Sequence, residues 1–367
     1  MDSAESAGGR LGAVLSAPRT GVVALGPRGP WLATTPALAK QVLTDVDHFD
    51  FPGNVSRGGD LSGSRGDTRS GHLVFDPLTP VQVARGVATF AELWPEALAA
   101  HDRDTPREAY DAMELLRRPV ARATCDALLD DASTDQREAV GDAVLAWIDA
   151  LAPVIAAARA PHRWSRVRRV ERDARLRLEA ILEHVDGLPG TPQQAATMLA
   201  AGIQVPIAAG SWLLAWLGDQ PTHDVDPIHA VWETLRLTPP TWITARLTTT
   251  DVELDGRLVP SGSVVLVSPL LLGRLPELVP GDPDELGDFD PSRWRDDARR
   301  PGAWLPFGAG PHACPGRNLG MAVLVHLAEW AVAHRVRLTQ EVKFDQSRGL
   351  APLPCRFRLN AQGGTTR

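Results

Sequence analysis

Residues Ala195 to Leu217, AATMLAAGIQVPIAAGSWLLAWL, carry no charge over a length that would span a bilayer. A segment this apolar on every side has to be enclosed, either by lipid or by the other helices of a large domain. The second reading is preferred, because the run stands alone and contains Gln204, Pro206, Ser211, Gly202 and Gly210. The rest of the 367-residue chain, 44% hydrophobic and 23% charged, has the composition of a globular protein with enough apolar sequence to wrap such a helix. No Gly/Ser-rich or charge-run linker divides it, so the expectation is one domain over residues 1–367, with 1–18 and 361–367 as flexible ends.

The flanking sequence is mostly helical with small β elements. Gly21 to Leu25 and Pro30 to Thr34 read as a hairpin around Gly-Pro-Arg-Gly, and Pro36 to Asp45 as a helix capped by Thr35. Phe51 to Thr68, rich in Gly, Ser, Arg and Asp, reads as a mobile surface loop. Alanine and leucine recur at three- and four-residue spacing from Pro80 to about Gly187. The arginine-rich stretch Arg163 to Arg177 is read as the solvated face of an amphipathic helix in preference to a nucleic-acid patch, because Glu171 and Asp173 interrupt it. A net charge of −7 also argues against nucleic-acid binding. Asp226 to Leu237 is helical up to Pro239-Pro240. Short strands follow at Trp242–Leu247, Val252–Leu254, Arg257–Val259 and Val264–Val267, and Leu353 to Leu359 alternates like a strand.

Cys125, Cys314 and Cys355 are too few and too scattered for a disulfide framework or a zinc cluster, which suits a reducing cytoplasm. The N-terminal residues carry acid early and have no apolar core of signal-peptide length, so neither secretion nor a membrane anchor is expected. Cys314 alone has telling neighbours: Phe307-Gly308-Ala309-Gly310-Pro311-His312-Ala313-Cys314-Pro315-Gly316, running into the helix-like NLGMAVLVHLAEWAVAHRV. A thiolate that binds haem iron needs a rigid loop, backbone N–H groups and a helix start nearby. Gly308, Gly310 and Gly316 would allow tight turns beside a flat ligand, and Pro311 and Pro315 would stiffen them. Cys314 therefore reads as a haem-iron ligand.

With that loop, the chain resembles the cytochrome P450 family, in particular its soluble bacterial type, over most of its length. Glu233-Thr234-Leu235-Arg236 follows the apolar helix and fits the family's Glu-x-x-Arg motif, and Phe289-Asp290-Pro291-Ser292-Arg293 fits the segment whose arginine completes that structural triad. The resemblance implies a mainly α fold with small β-sheets, a triangular prism of helices around a buried haem b. It implies Cys314 as the iron ligand, with Phe307, Gly308, Gly316 and Ala201 beside the haem. Arg246 and His312 match propionate contacts. Arg85 fits the arginine of a third, His-x-x-x-Arg contact, although Val81 stands where the histidine belongs. By family position, the Phe51–Thr68 loop and Trp242, Ile243 and Thr244 face the substrate.

One segment departs from the family pattern. Where Ala-Gly-x-(Asp/Glu)-Thr is usual, this chain has Ala201-Gly202-Ile203-Gln204-Val205-Pro206. Gln204 cannot titrate and Val205 has no hydroxyl. Pro206 lacks an amide donor and is expected to open or kink the helix. Oxidation of a specialised metabolite, by hydroxylation or oxidative coupling and with peptides among the candidate substrates, is the reading the resemblance favours. Dioxygen would be the oxidant, with electrons from a separate ferredoxin and reductase. A peroxide-using peroxygenase is the first alternative, and a non-oxidative isomerase or dehydratase or a haem sensor the next. The enzyme is expected as a cytoplasmic monomer that binds no nucleic acid and no membrane.

Overall fold

The computed structural model describes residues 4, 8–27, 29–51, 74–105, 108–157, 159, 161–221, 224–295, 299–346 and 349–359. The chain runs through α1 (Gly9–Leu15), β1 (Val22–Ala24), β2 (Trp31–Ala33), α2 (Pro36–Thr44), β3 (Phe49–Asp50), α3 (Pro80–Asp104), β4 (Tyr110–Asp111), α4 (Ala112–Leu115) and α5 (Arg117–Leu128). It continues through α6 (Thr134–Ala156), α7 (Arg166–Leu182), α8 (Pro192–Asp219), α9 (Pro227–Leu237), β5 (Thr244–Thr248), β6 (Val252–Leu254), β7 (Arg257–Val259), β8 (Val264–Val267) and α10 (Pro269–Leu272). The last elements are α11 (Arg317–Ala333), β9 (Val336–Leu338), β10 (Lys343–Asp345), β11 (Ala351–Leu353) and β12 (Arg356–Leu359). They gather into two compact units, one from Asp2–Asp76 with Leu235–Cys314 and one from Pro77–Thr234 with Pro315–Arg367. Because each unit draws on two separated stretches, no linker marks the division in the sequence.

The first unit is built on a five-stranded sheet of order β1-β2-β8-β5-β3. Strand β2 pairs with β8 in parallel, Trp31 opposite Val265, and the remaining pairs are antiparallel. The expected hairpin forms as β1 and β2. Helix α2 starts at Pro36, where the Thr35 hydroxyl accepts the Leu38 amide at 3.5 Å. Asp255 and Gly256, both at positive φ, turn β6 into β7. Leu32, Ala33, Val265, Leu270, Leu271 and Trp304 form its buried interior.

The second unit wraps α8. Helices α5, α6, α7 and α11 pack against it, which is what an element apolar on all sides requires. Its start is set by Thr191, Pro192 and Gln194, which form a capping box; Ser133 with Gln136 and Thr79 with Gln82 do the same for α6 and α3. Each such cap stabilises its helix by about 1 kcal/mol. By length and apolar composition α6 and α8 could each cross a membrane. For α8, the surrounding helices account for that composition. Strands β4, β12 and β9 form a small sheet on which Tyr110 stacks over Phe357 at 5.2 Å, and Trp212 of α8 donates to the Leu350 carbonyl at 3.0 Å.

Three expectations are corrected. Within the 1–18 segment, expected to be flexible, Gly9–Leu15 form α1, and Leu11 and Val14 are buried; an amphipathic turn this short carries too little periodicity to be recognised. The Leu353–Leu359 run is two strands, β11 and β12, with the buried Cys355 between them. Helix α7 is not merely a solvated face: Arg168 and Glu171 are buried, and Trp147 donates to Glu171 at 3.0 Å. Most of the Phe51–Thr68 loop and the 361–367 tail lie outside the described residues.

Candidate functional site

The Cys314 loop is built by its glycines. The Cys314 amide donates back to the Phe307 carbonyl at 2.8 Å, and the Gly308 amide to the Leu305 carbonyl at 3.0 Å, closing a compact turn. Gly308 and Gly310 both sit at φ +70°, and a Cβ on Gly310 would lie 3.0 Å from the Leu43 carbonyl oxygen. Two independent reasons therefore demand glycine at 310. Gly316 differs: its φ is −86° and nothing lies within 4 Å of where its Cβ would be. The tight turn expected there is absent, and Gly316 instead occupies the N-cap of α11 without a side-chain cap. Cys314 is exposed, whereas Cys125 and Cys355 are buried, and none of the three is disulfide-bonded. Burial pushes the Cys125 thiol up to about 12 and raises the Cys355 thiol as well, so both stay protonated.

In the same unit Phe51 brings two expected site residues together. The Arg246 guanidinium lies over the Phe51 ring at 4.1 Å, and the His312 ring meets the same phenyl edge-on at 4.6 Å. Arg246 is only 7% exposed, and among the described residues the one hydrogen bond of its guanidinium goes to the neighbouring Ala245 carbonyl at 3.0 Å. Burial pulls its guanidinium below the usual arginine value, and Asp50 pulls the other way. A buried guanidinium with most of its donors unspent is set up to receive a carboxylate. Nothing in the sequence singled out Phe51 from its loop as the shared platform.

Glu233 and Arg236, both on α9, are fully buried, and Arg293 is 7% exposed. Arg236 donates to the carbonyls of Gly273 (3.0 Å), Leu286 (2.6 Å) and Asp288 (3.1 Å), while Arg293 donates to those of Pro280 (2.8 Å), Glu285 (3.4 Å) and Asp288 (3.4 Å). The two arginines thus converge on Asp288 and tie together the irregular stretch before the Cys314 loop. Trp242 is buried, and Ile243 and Thr244 are half-buried, Thr244 at the start of β5.

In the second unit, α8 continues unbroken through Pro206, so the proline does not open it into a loop. Ala201 is exposed, and Gln204, Val205 and Pro206 are half-buried. Arg85, on α3, donates to the carbonyls of Asp126 and Ala127 and pairs with the Asp130 carboxylate. Its guanidinium is occupied by the protein itself, unlike that of Arg246.

A model of the cytochrome P450 family matches residues 229–332. Cyclooctat-9-en-7-ol 5-monooxygenase of Streptomyces melanosporofaciens is 30% identical over 82% of this chain and 78% of that protein. Pentalenene oxygenase of Streptomyces avermitilis is 28% identical over 38% of this chain and 37% of its own length. Among solved structures, the open cytochrome P450 Eryk of S. erythraea superposes with a TM-score of 0.69 at 20% identity, over 94% of both chains. The chain belongs to the cytochrome P450 family and is an oxidoreductase of the haem-thiolate class.

The residues present fit that cofactor. A haem-thiolate protein has to supply one accessible thiol on a rigid loop and cationic partners for two carboxylates. Cys314 is the exposed thiol of the three, and the Arg246–Phe51–His312 cluster offers an under-used buried cation beside an imidazole.

Proposed function

We propose that the enzyme oxygenates an apolar, terpene-like specialised metabolite, using dioxygen and electrons from a separate ferredoxin and reductase. The observation that carries this reading is the likeness to a Streptomyces monooxygenase along 82% of the chain, supported by partial likeness to pentalenene oxygenase. Haem b, when bound, supplies oxygen activation and C–H oxidation that no side chain can perform.

The chain's own residues divide the remaining work. Cys314 is the iron ligand, and Phe307 and Gly308 hold its loop. Arg246 and His312 take the propionates, with Phe51 keeping guanidinium and imidazole side by side; Arg85 is left out because Asp130 already neutralises it. Glu233, Arg236 and Arg293 are structural. Trp242 and Ile243 provide an apolar wall for a substrate rich in hydrocarbon, and Thr244 contributes one hydroxyl, which donates to the Val267 carbonyl at 3.4 Å. Gln204 has no proton to give and Val205 no hydroxyl to hold water, so proton delivery falls to ordered water oriented by the Gln204 amide. We read the enzyme as a cytoplasmic monomer.

The same departure favours a second reading, a peroxygenase, in which peroxide arrives already reduced and protonated and no acid–alcohol pair is needed. The deciding experiment has two stages. The carbon monoxide difference spectrum of the reduced protein should show the thiolate-shifted Soret band; a haem spectrum without it would refute the ligand assignment. Polycyclic terpene hydrocarbons and alcohols are then incubated with ferredoxin, reductase and dioxygen, or with peroxide alone. Product only in the first arm supports the monooxygenase, fast product in the second supports the peroxygenase, and none in either sinks both.

A further inference from the structure

Pro206 leaves a gap that a residue far away in sequence fills. In an α-helix the amide of residue 206 would donate to the carbonyl of residue 202. Proline has no amide hydrogen, so within α8 the Gly202 carbonyl loses its partner. In the structure that carbonyl accepts a hydrogen bond from the Thr124 hydroxyl of α5 at 3.1 Å. Thr124 is 4% exposed and Gly202 half-buried, so the donor side of this bond is shielded from water.

The local packing is shaped to bring the hydroxyl this close. A Cβ on Gly202 would lie 3.1 Å from Thr124 Cγ2, tighter than ordinary contact. Two turns along α8, a Cβ on Gly210 would lie 3.0 Å from Leu116 Cδ1, at the beginning of α5. Gly202, Pro206 and Gly210 fall on one stripe of α8 at helical spacing, and α5 runs antiparallel along it, with Thr124 opposite Gly202 and Leu116 opposite Gly210. Glycine at 202 admits the threonine, and the threonine supplies the donor the proline lacks.

We propose that Thr124 is a positioning residue for α8: its hydroxyl replaces the missing amide at Pro206 and so holds the Gly202–Pro206 turn, and Gln204 within it, in helical register. Without that donor the half-buried Gly202 carbonyl would have to find a partner by rotating out of the helix or by admitting water, and either change would re-aim Gln204. The inference rests on the reading of α8 as the haem-facing helix only where Gln204's effect on the haem is concerned; the pairing of Thr124 with Pro206 stands apart from it.

The test is a double-mutant cycle on the holoprotein with Thr124→Val, Thr124→Ser, Pro206→Ala and Thr124→Val/Pro206→Ala, read by thermal unfolding and by imidazole titration of the ferric haem. Thr124→Val is expected to lower the unfolding midpoint and change the imidazole Kd at least fivefold, while Thr124→Ser stays within twofold of wild type. The Pro206→Ala substitution restores a backbone amide that can donate to Gly202. In that background Thr124→Val should change the Kd less than twofold and the midpoint little. An equal penalty in both backgrounds would show that the hydroxyl does not serve the proline gap. An unchanged Kd in Thr124→Val would remove the positioning role and leave only a structural bond. If Thr124→Val alone does not fold, the double variant must; its failure would also overturn the proposal. A protein without the thiolate-shifted carbon monoxide band would defeat the haem reading, while the unfolding cycle would still decide the Thr124–Pro206 pairing.

Discussion

The Cys314 loop and the Ala201–Pro206 turn of α8 are both marked by short motifs, and they obey different constraints. Around Cys314 the backbone itself is specified: Gly308 and Gly310 adopt conformations other residues resist, the Cys314 amide closes onto Phe307, and a Cβ at 310 would crowd the Leu43 and Thr44 backbone at 3.0 Å. In α8 the backbone is ordinary helix and the departure is chemical, with Gln204, Val205 and Pro206 where an acid, an alcohol and an amide donor are usual. The contrast teaches that a loop presenting an exposed thiol is held by local geometry and tolerates little change. A helix turn can lose its reactive side chains and one backbone donor and still be kept in shape by a neighbouring helix, here through Thr124.

The contrast is broken most sharply at Cys314. Cys314→Ala should abolish the thiolate-shifted carbon monoxide band and all turnover, while Cys125→Ala and Cys355→Ala keep the band; persistence of the band in Cys314→Ala would move the ligand elsewhere. Next in size is Arg236→Ala, which leaves the Gly273 and Leu286 carbonyls without their buried donor and the Asp288 carbonyl with Arg293 alone. The expected cost is about 3–5 kcal/mol, read from denaturant unfolding, and it should appear as lost soluble holoprotein. A cost below about 1 kcal/mol would show that these bonds do not hold the segment before the Cys314 loop.

A smaller effect separates the two arginines. Arg246→Leu should speed haem loss to a haem-scavenging protein by roughly ten- to a hundredfold, as expected for losing charged hydrogen bonds. Arg85→Leu should leave haem retention near wild type, because that guanidinium is paired with Asp130. The reverse ranking would assign the propionates to the helical unit. On the α8 side, Gln204→Glu with Val205→Thr restores an acid and an alcohol, and the ratio of product to reductant consumed under dioxygen should rise roughly tenfold. No change would mean that water already meets the proton demand.

The smallest effect concerns pH. Burial raises the Cys125 and Cys355 thiols above their usual value of 9.0, so protonation favours the folded state. Their contribution to stability is complete below the unfolded value and is lost as pH rises from about 9 toward about 12, at up to ~1.4 kcal/mol per pH unit for each thiol. Unfolding midpoints measured between pH 7 and 11 should fall on the alkaline side, and Cys125→Ala should flatten that fall. A midpoint independent of pH over this range would contradict the buried-thiol assignment.

Much of the fold could be read in one dimension because its signals are local. The cap at Thr35 acts within four residues, the short strands Val252–Leu254, Arg257–Val259 and Val264–Val267 are bounded by their own turn residues, and the Cys314 loop carries its own glycines and prolines; the capping boxes at Thr79, Ser133 and Thr191 are equally local but were not singled out. The short helix α1 was not legible, because its burial comes from what packs over Leu11 and Val14. Arg85 and Arg246 look alike as candidate cations. Only their surroundings separate them, since Asp130 spends one and Phe51 supports the other.

By itself, then, the sequence determined the haem-thiolate class, the predominance of helix, the enclosure of α8 and the absence of an acid–alcohol pair, because each depends on residue identity at short spacing. Tertiary structure decided how the consequences are met. The interleaving of two units, the shared platform of Phe51 and the Thr124 bond to Gly202 all join residues remote in the chain. A hydrogen-bond donor missing at Pro206 can be read from one letter, but what replaces it is set by which helix packs there.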